Sequence, residues 1–140
     1  MSDLETATVD IDVPFFDVDS MNMVWHGHYV KYFELARCQL LEQLGHDYQA
    51  MFDAGYGWPV VDMKIRYMRA LVFKQPVCVA ATLTYWQHRL KIGYKIRDRR
   101  DKTLLVRGST TQAPIDLATG ELIAERPAVV GRALASTGIE

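Results

Sequence analysis

From about His26 to Leu44 the chain reads as one long helix, and the chain beyond it reads almost entirely as strand. Val30, Phe33, the stem of Arg37, Leu40, Leu41 and Leu44 recur every three or four residues, and Gly45 stands where a helix commonly ends. The spacing predicts roughly five turns with an apolar face too wide to rest on a surface. That face needs a cover, and the rest of the chain supplies one. Residues 6–16, "TATVDIDVPFF", alternate Val9, Ile11 and Val13 with Asp10 and Asp12, the period of a half-buried strand. After a short helical turn around "YQAMFDAG" come "WPVVDMKIRYM", "VCVAATLTYW", "LKIGYKIRD", "TLLVRGSTTQAPID" and "LIAERPAVV", five β-rich stretches. "RDRRDK" (97–102) and "DLATG" (116–120) punctuate them as turns. Strand, long helix, then consecutive strands predicts an α+β fold, one curled antiparallel sheet wrapped around one central helix.

Nothing divides the chain: there is no internal repeat, low-complexity tract or linker, so residues 1–140 are expected to form a single domain. A formal net charge of -1 and a pI near 6.4 give no reason to expect nucleic acid or an anionic membrane as partner. "MSDLETATVD" is acidic and lacks an apolar core, so no secretory signal is expected, and no apolar run reaches the roughly 20 residues of a membrane span. The cytoplasm is the compartment expected. Cys38 and Cys78 sit in core-like stretches and are expected as free buried thiols.

The chemistry concentrates in "FFDVDSMNMVWHGHYVKYFE", residues 15–34. Two carboxylates, two histidines, an indole and two methionines meet there just where the long helix begins. Taken alone, Asp19 caps a loop or a helix as readily as it catalyses, and Asp17, two residues farther from the helix, is expected to be structural. His26 and His28 form an H-x-H pair, but positions i and i+2 of a helix point apart, so a metal site is not expected. His46 and His88 are expected at the surface. Met21, Met23, Trp25 and Trp58 suit a core, and also suit an acyl chain or ring. There is no G-x-S-x-G, H-E-x-x-H or G-x-G-x-x-G motif, which argues against an α/β-hydrolase serine, a zinc protease and a dinucleotide site.

"DVDSMNMVWHGHYVKYFELARC" resembles the signature of the hotdog-fold acyl-CoA thioesterases, the 4-hydroxybenzoyl-CoA thioesterase family in its YbgC-like form. Asp19, Val24, Trp25, His26, His28 and Tyr29 fall in register with it, and the likeness extends over roughly residues 8–131, more generically after the first third. Two departures stand out. Asn22 replaces a glycine common three positions after the aspartate, a place Asn tolerates. "RYMRAL" lacks a proline found in many relatives.

The resemblance implies a hotdog fold and hydrolysis of an acyl thioester carried by coenzyme A or by an acyl-carrier protein, without a cofactor. It casts Asp19 as nucleophile or general base with His26 beside it. The helix-start amides of Trp25, His26 and Gly27 become an oxyanion hole, and Met23, Val24, Tyr29 and Trp58 the pocket. It also implies a homodimer or homotetramer with clefts between subunits. The physics is consistent: a thiol of pKa near ~8.5 leaves readily. What remains is a nucleophile or base, and donors for the developing oxyanion. Arg89 and Lys91 are candidates for the phosphates of coenzyme A. A hotdog hydratase or dehydratase, or a non-catalytic acyl-thioester binding module, are the alternatives.

Overall fold

The computed structural model describes residues 5–45, 48–86 and 89–123. The elements run β1 (Glu5–Asp12), a 3-10 turn (Phe15–Asp17), α1 (His28–Gln43), α2 (Tyr48–Asp53), β2 (Tyr56–Gly57), β3 (Val60–Tyr67), β4 (Pro76–Tyr85), β5 (Leu90–Asp98), β6 (Leu104–Gln112) and β7 (Ile115–Asp116). Five strands make one antiparallel sheet in the order β1-β4-β5-β6-β3, and β2 pairs with β7 beside it. The α+β arrangement matches the sequence expectation, one helix against a curved antiparallel sheet.

Period-two alternation sets the sheet's faces. Val77, Val79, Ala81 and Leu83 of β4 and Leu90, Ile92, Tyr94 and Ile96 of β5 are buried, while the residues between them are more exposed. From α1 the inward stripe is Tyr29, Tyr32, Phe33, Ala36, Leu40 and Leu41. Phe33 stacks on Tyr94 with ring centroids 4.4 Å apart. Gly108 of β6 lies beneath it, and a Cβ there would come within 2.6 Å of the Phe33 ring and 2.7 Å of the Lys64 carbonyl. The helix lies this close to the sheet because that position has no side chain.

Three points differ from expectation, and other expectations fall wholly or partly outside the described residues. The helix starts at His28, two residues later than its apolar period suggests, with Gly27 as its N-cap and no side-chain cap. The β2–β7 pair was not expected, since two-residue strands carry no readable alternation. The stretch "LIAERPAVV" shows Leu122 bridged to Ile115, and its remainder past Ile123 lies outside the described residues, as do His46 and His88. Cys38 and Cys78 are unbridged but only half-buried.

Candidate active site

The two aspartates of "DVD" have opposite surroundings. Asp17 is buried, and its carboxylate accepts hydrogen bonds from Lys31 Nζ (2.6 Å) and the Tyr32 hydroxyl (2.7 Å), with His28 Nδ1 at 3.9 Å. Burial pushes its pKa up, but the Lys31 and Tyr32 bonds outweigh that and hold it below the usual carboxylate value. The same bond, together with burial as the larger cause, drives the Tyr32 phenol far above its ordinary range. Asp17 therefore ties the 3-10 turn to the first turn of α1, and its carbonyl also accepts the Trp25 amide at 3.2 Å.

Asp19 is exposed and forms no ion pair among the described residues. Its Oδ1 accepts the amides of Met21 (2.8 Å) and Met23 (3.2 Å), and its own amide donates to the Met23 carbonyl at 2.8 Å. This closes a tight loop between the bridged residues Val18 and Val24, with Asn22 at φ 62°. Asparagine does take the left-handed position expected where relatives have glycine. The loop engages one carboxylate oxygen. Among the described residues, Oδ2 has no hydrogen-bond partner.

Asp19 lines a cleft of about 280 Å³ with Met23, Val24, Trp25, His26 and Tyr29 from the same stretch, and Tyr67, Met68, Arg69 and Ala70 from the end of β3. The second wall is what sequence reasoning missed. It lies some forty residues away, and the one local signal was "RYMRAL", noted for its missing proline and not for its side chains. The wall is fastened by hydrogen bonds. Tyr67 donates its hydroxyl to the His26 carbonyl (3.4 Å), Leu71 donates its amide to the Tyr29 hydroxyl (3.0 Å), and the Tyr29 and Tyr67 rings meet edge to face at 4.9 Å. Arg69 brings a cation into the cleft.

The later helix start changes which amides near it are open. Residues 25–28 form a turn in which His28 donates to the Trp25 carbonyl at 2.9 Å. The Trp25 amide, expected as a donor, is engaged by the Asp17 carbonyl, which corrects that expectation. Among the described residues the amides of His26 and Gly27 have no partner in the chain. His26 lines the cleft, its ring against the Trp25 indole at 5.1 Å. The indole lies over Gly27, where a Cβ would come within 2.2 Å of it.

The remaining predicted residues lie elsewhere. Trp58 is buried, its carbonyl accepting the Gln112 side-chain amide at 2.7 Å, and it does not line this cleft. Arg89 precedes β5, and Lys91 sits over the Tyr85 ring at 5.7 Å; neither lines the cleft. Among the described residues no group of His, Cys, Asp and Glu has metal-site geometry, and no helix is long and apolar enough to cross a membrane.

The comparisons with known proteins bear on this geometry. A candidate esterase of Synechocystis sp., sll0410, is 31% identical over 113 residues, 80% of this chain and 68% of that protein. YneP of Bacillus subtilis, a candidate acyl-CoA thioesterase, is 33% identical over 70 residues, half of this chain and 51% of its own length. The crystal structure of the DHNA-CoA thioesterase of Staphylococcus aureus superposes with a TM-score of 0.83 at 25% identity, covering 95% of this chain and 91% of that one. The fold is thus the hotdog fold of the thioesterases. The model of the thioesterase-like superfamily matches residues 13–134, and the chain belongs to that superfamily.

Proposed function

We propose that the protein hydrolyses acyl thioesters to the free acid and thiol, in the manner of the 4-hydroxybenzoyl-CoA thioesterase branch, with Asp19 as the reacting carboxylate. One observation carries this reading: Asp19, whose Oδ2 has no partner among the described residues, and His26, whose amide is uncommitted, line the same cleft. A substrate carbonyl between them has a nucleophile or base on one side and a hydrogen-bond donor on the other. The Gly27 amide, likewise uncommitted, is a second donor in the same turn. His26 borders the reacting carbonyl and helps to orient it. Met23, Val24 and Tyr29 supply the apolar walls of the cleft.

Asp19 acts by one of two routes. It attacks the carbonyl carbon, expels the thiolate and leaves an anhydride that water opens, or it takes a proton from a water that attacks while the thiolate departs. Single turnover in ¹⁸O-water bears on the choice. An unlabelled oxygen passed to the product acid, with the label left in Asp19, arises only if the anhydride forms and water opens it at the aspartyl carbonyl. Water attacking the acyl carbon labels the acid in either route.

A homodimer or homotetramer is the assembly we propose, as the resemblance in the helix-start segment implies. β3 is an edge strand with Val60, Val61 and Tyr67 exposed, and edge pairing with a second copy would cover it. Light scattering behind size exclusion tests this, and a single 16.0 kDa particle would refute it.

Hydrolysis is tested with a panel of aliphatic and aromatic acyl-CoA thioesters, following thiol release. Turnover of at least one is expected. Hydration of crotonyl-CoA without thiol release would instead make the protein a hydratase, and tight binding without turnover would make it a binding module.

A further inference from the structure

The near-neutral net charge hides a segregated distribution. Register places Ile65 opposite Gly108, on the face covered by Phe33, so the alternate residues Lys64, Arg66, Arg107 and Ser109 point outward, away from α1. On that outer face Lys95 stands opposite Arg107, and Arg107 stands opposite Arg66, three cations directly adjacent across β5, β6 and β3. Lys64 lies in the next row, opposite Ser109. Like charges directly opposite on one face are destabilising. Among the described residues none of the four is paired with a carboxylate; the nearest acids by register, Asp10 and Asp62, stand at the margins, and Asp10 faces Arg99. Around them the same face carries small residues, Ala80 and Thr82 on β4, Gly93 on β5 and Ser109 on β6. Two shallow hollows of about 250 and 390 Å³ flank Arg107.

We propose that this outer face is a docking surface for an acidic helix of the protein that carries the acyl thioester. The inference rests on the thioesterase reading above and names the carrier. Lys95 to Arg66 spans two strand spacings, about 10 Å, close to the roughly 10–12 Å width of one helix. A nucleotide fits the face less well. Its backbone N–H groups belong to the sheet ladder and form no phosphate cradle, and the outward residues between the cations include no aromatic ring on which a base could stack. Continuity with the cleft supports the choice. Arg66 faces outward while the next residue, Tyr67, lines the cleft on the helix side, so face and cleft meet only where β3 ends. The flexible thioester arm of a carrier seated on the face would reach the cleft around that strand end.

The test offers one acyl group on three thiols: an acidic phosphopantetheinylated carrier protein, coenzyme A, and N-acetylcysteamine, which has neither phosphate nor protein. The variant is Lys95→Glu/Arg107→Glu; if it fails to fold, Lys95→Gln/Arg107→Gln takes its place. KM for the carrier-protein thioester is expected to rise about tenfold or more, and added salt should produce the same trend in the parent protein. Turnover of the N-acetylcysteamine thioester should stay within about twofold. An unchanged KM on the carrier protein, an equal loss on all three thiols, or a loss confined to coenzyme A would each overturn the proposal, the last by assigning the face to the nucleotide. If the parent protein cleaves none of the three, the thioesterase reading is what fails. Calorimetric titration with the unloaded carrier protein then still decides the docking: binding abolished by the variant supports it, and no binding refutes it.

Discussion

The Tyr32 hydroxyl donates a 2.7 Å hydrogen bond to the carboxylate of Asp17, and Lys31 holds the other oxygen at 2.6 Å. This buried pair anchors the first turn of the long helix to the loop that presents Asp19, so the neighbouring aspartates divide the work. One is fixed inside the fold. The other is open to the cleft.

Replacing Asp17 by Asn should therefore cost stability, about 1–3 kcal/mol at neutral pH, the range for disturbing a buried hydrogen-bonded group. The pH dependence has a definite sign. A carboxylate with a folded pKa below its unfolded value contributes stability above the unfolded pKa and loses it as pH falls through the folded one. The gap between parent and Asp17→Asn, followed by urea unfolding, should be full above about pH 5 and shrink below about pH 4. A gap that widens on acidification would contradict the depressed pKa.

Gly27→Ala should drive the new methyl into the Trp25 indole, which lies within 2.2 Å of its ideal position. The clash is with the far end of an exposed side chain, so the indole gives way before the turn does, and kcat should fall by less than about tenfold. Adding Trp25→Ala removes the obstruction. Activity that recovers in the double variant identifies the indole as the obstacle, whereas a further drop would show that Trp25 acts some other way.

Asn22 holds its left-handed backbone at φ 62° within the loop tied by Asp19. Asn22→Ala should destabilise by about 1–2 kcal/mol, and Asn22→Gly should be near neutral. Thermal unfolding of the two variants checks this; equal losses would mean that the asparagine side chain matters more than its backbone.

Gly108→Ala should be worse tolerated than most alanine substitutions in a strand. Its methyl meets the Phe33 ring and the Lys64 carbonyl under 3 Å, and overpacking of this degree typically costs about 1–3 kcal/mol. A chemical denaturation midpoint identical to the parent's would show that helix and sheet have room to spare.

How much of the fold and site is legible in the sequence depends on how local each signal is. The strands β1 and β3–β6 and the body of α1 announce themselves through alternation or helical period, because one face of each is buried. Asp19, Val24, His26 and Tyr29 share a cleft, and they are close in sequence. The helix start was misplaced because Gly27 caps it without a side-chain signal. Tyr67–Ala70 went unnoticed because only the fold brings the end of β3 to the helix start. Trp58 invited a pocket reading through its residue type, yet a buried indole packs equally well in a core. The cationic row escaped composition altogether, since net charge averages over faces and cross-strand register does not.

The kcat of Asp19→Asn on the best thioester of the panel tests most directly whether Asp19 is the reacting carboxylate. Asparagine keeps the oxygen that accepts the Met21 and Met23 amides, so the loop and its circular dichroism should be preserved while the reacting oxygen is lost. The predicted result is a fall of roughly 10²–10⁴-fold in kcat with the fold intact. A folded variant that turns over at close to the parent rate would contradict that role.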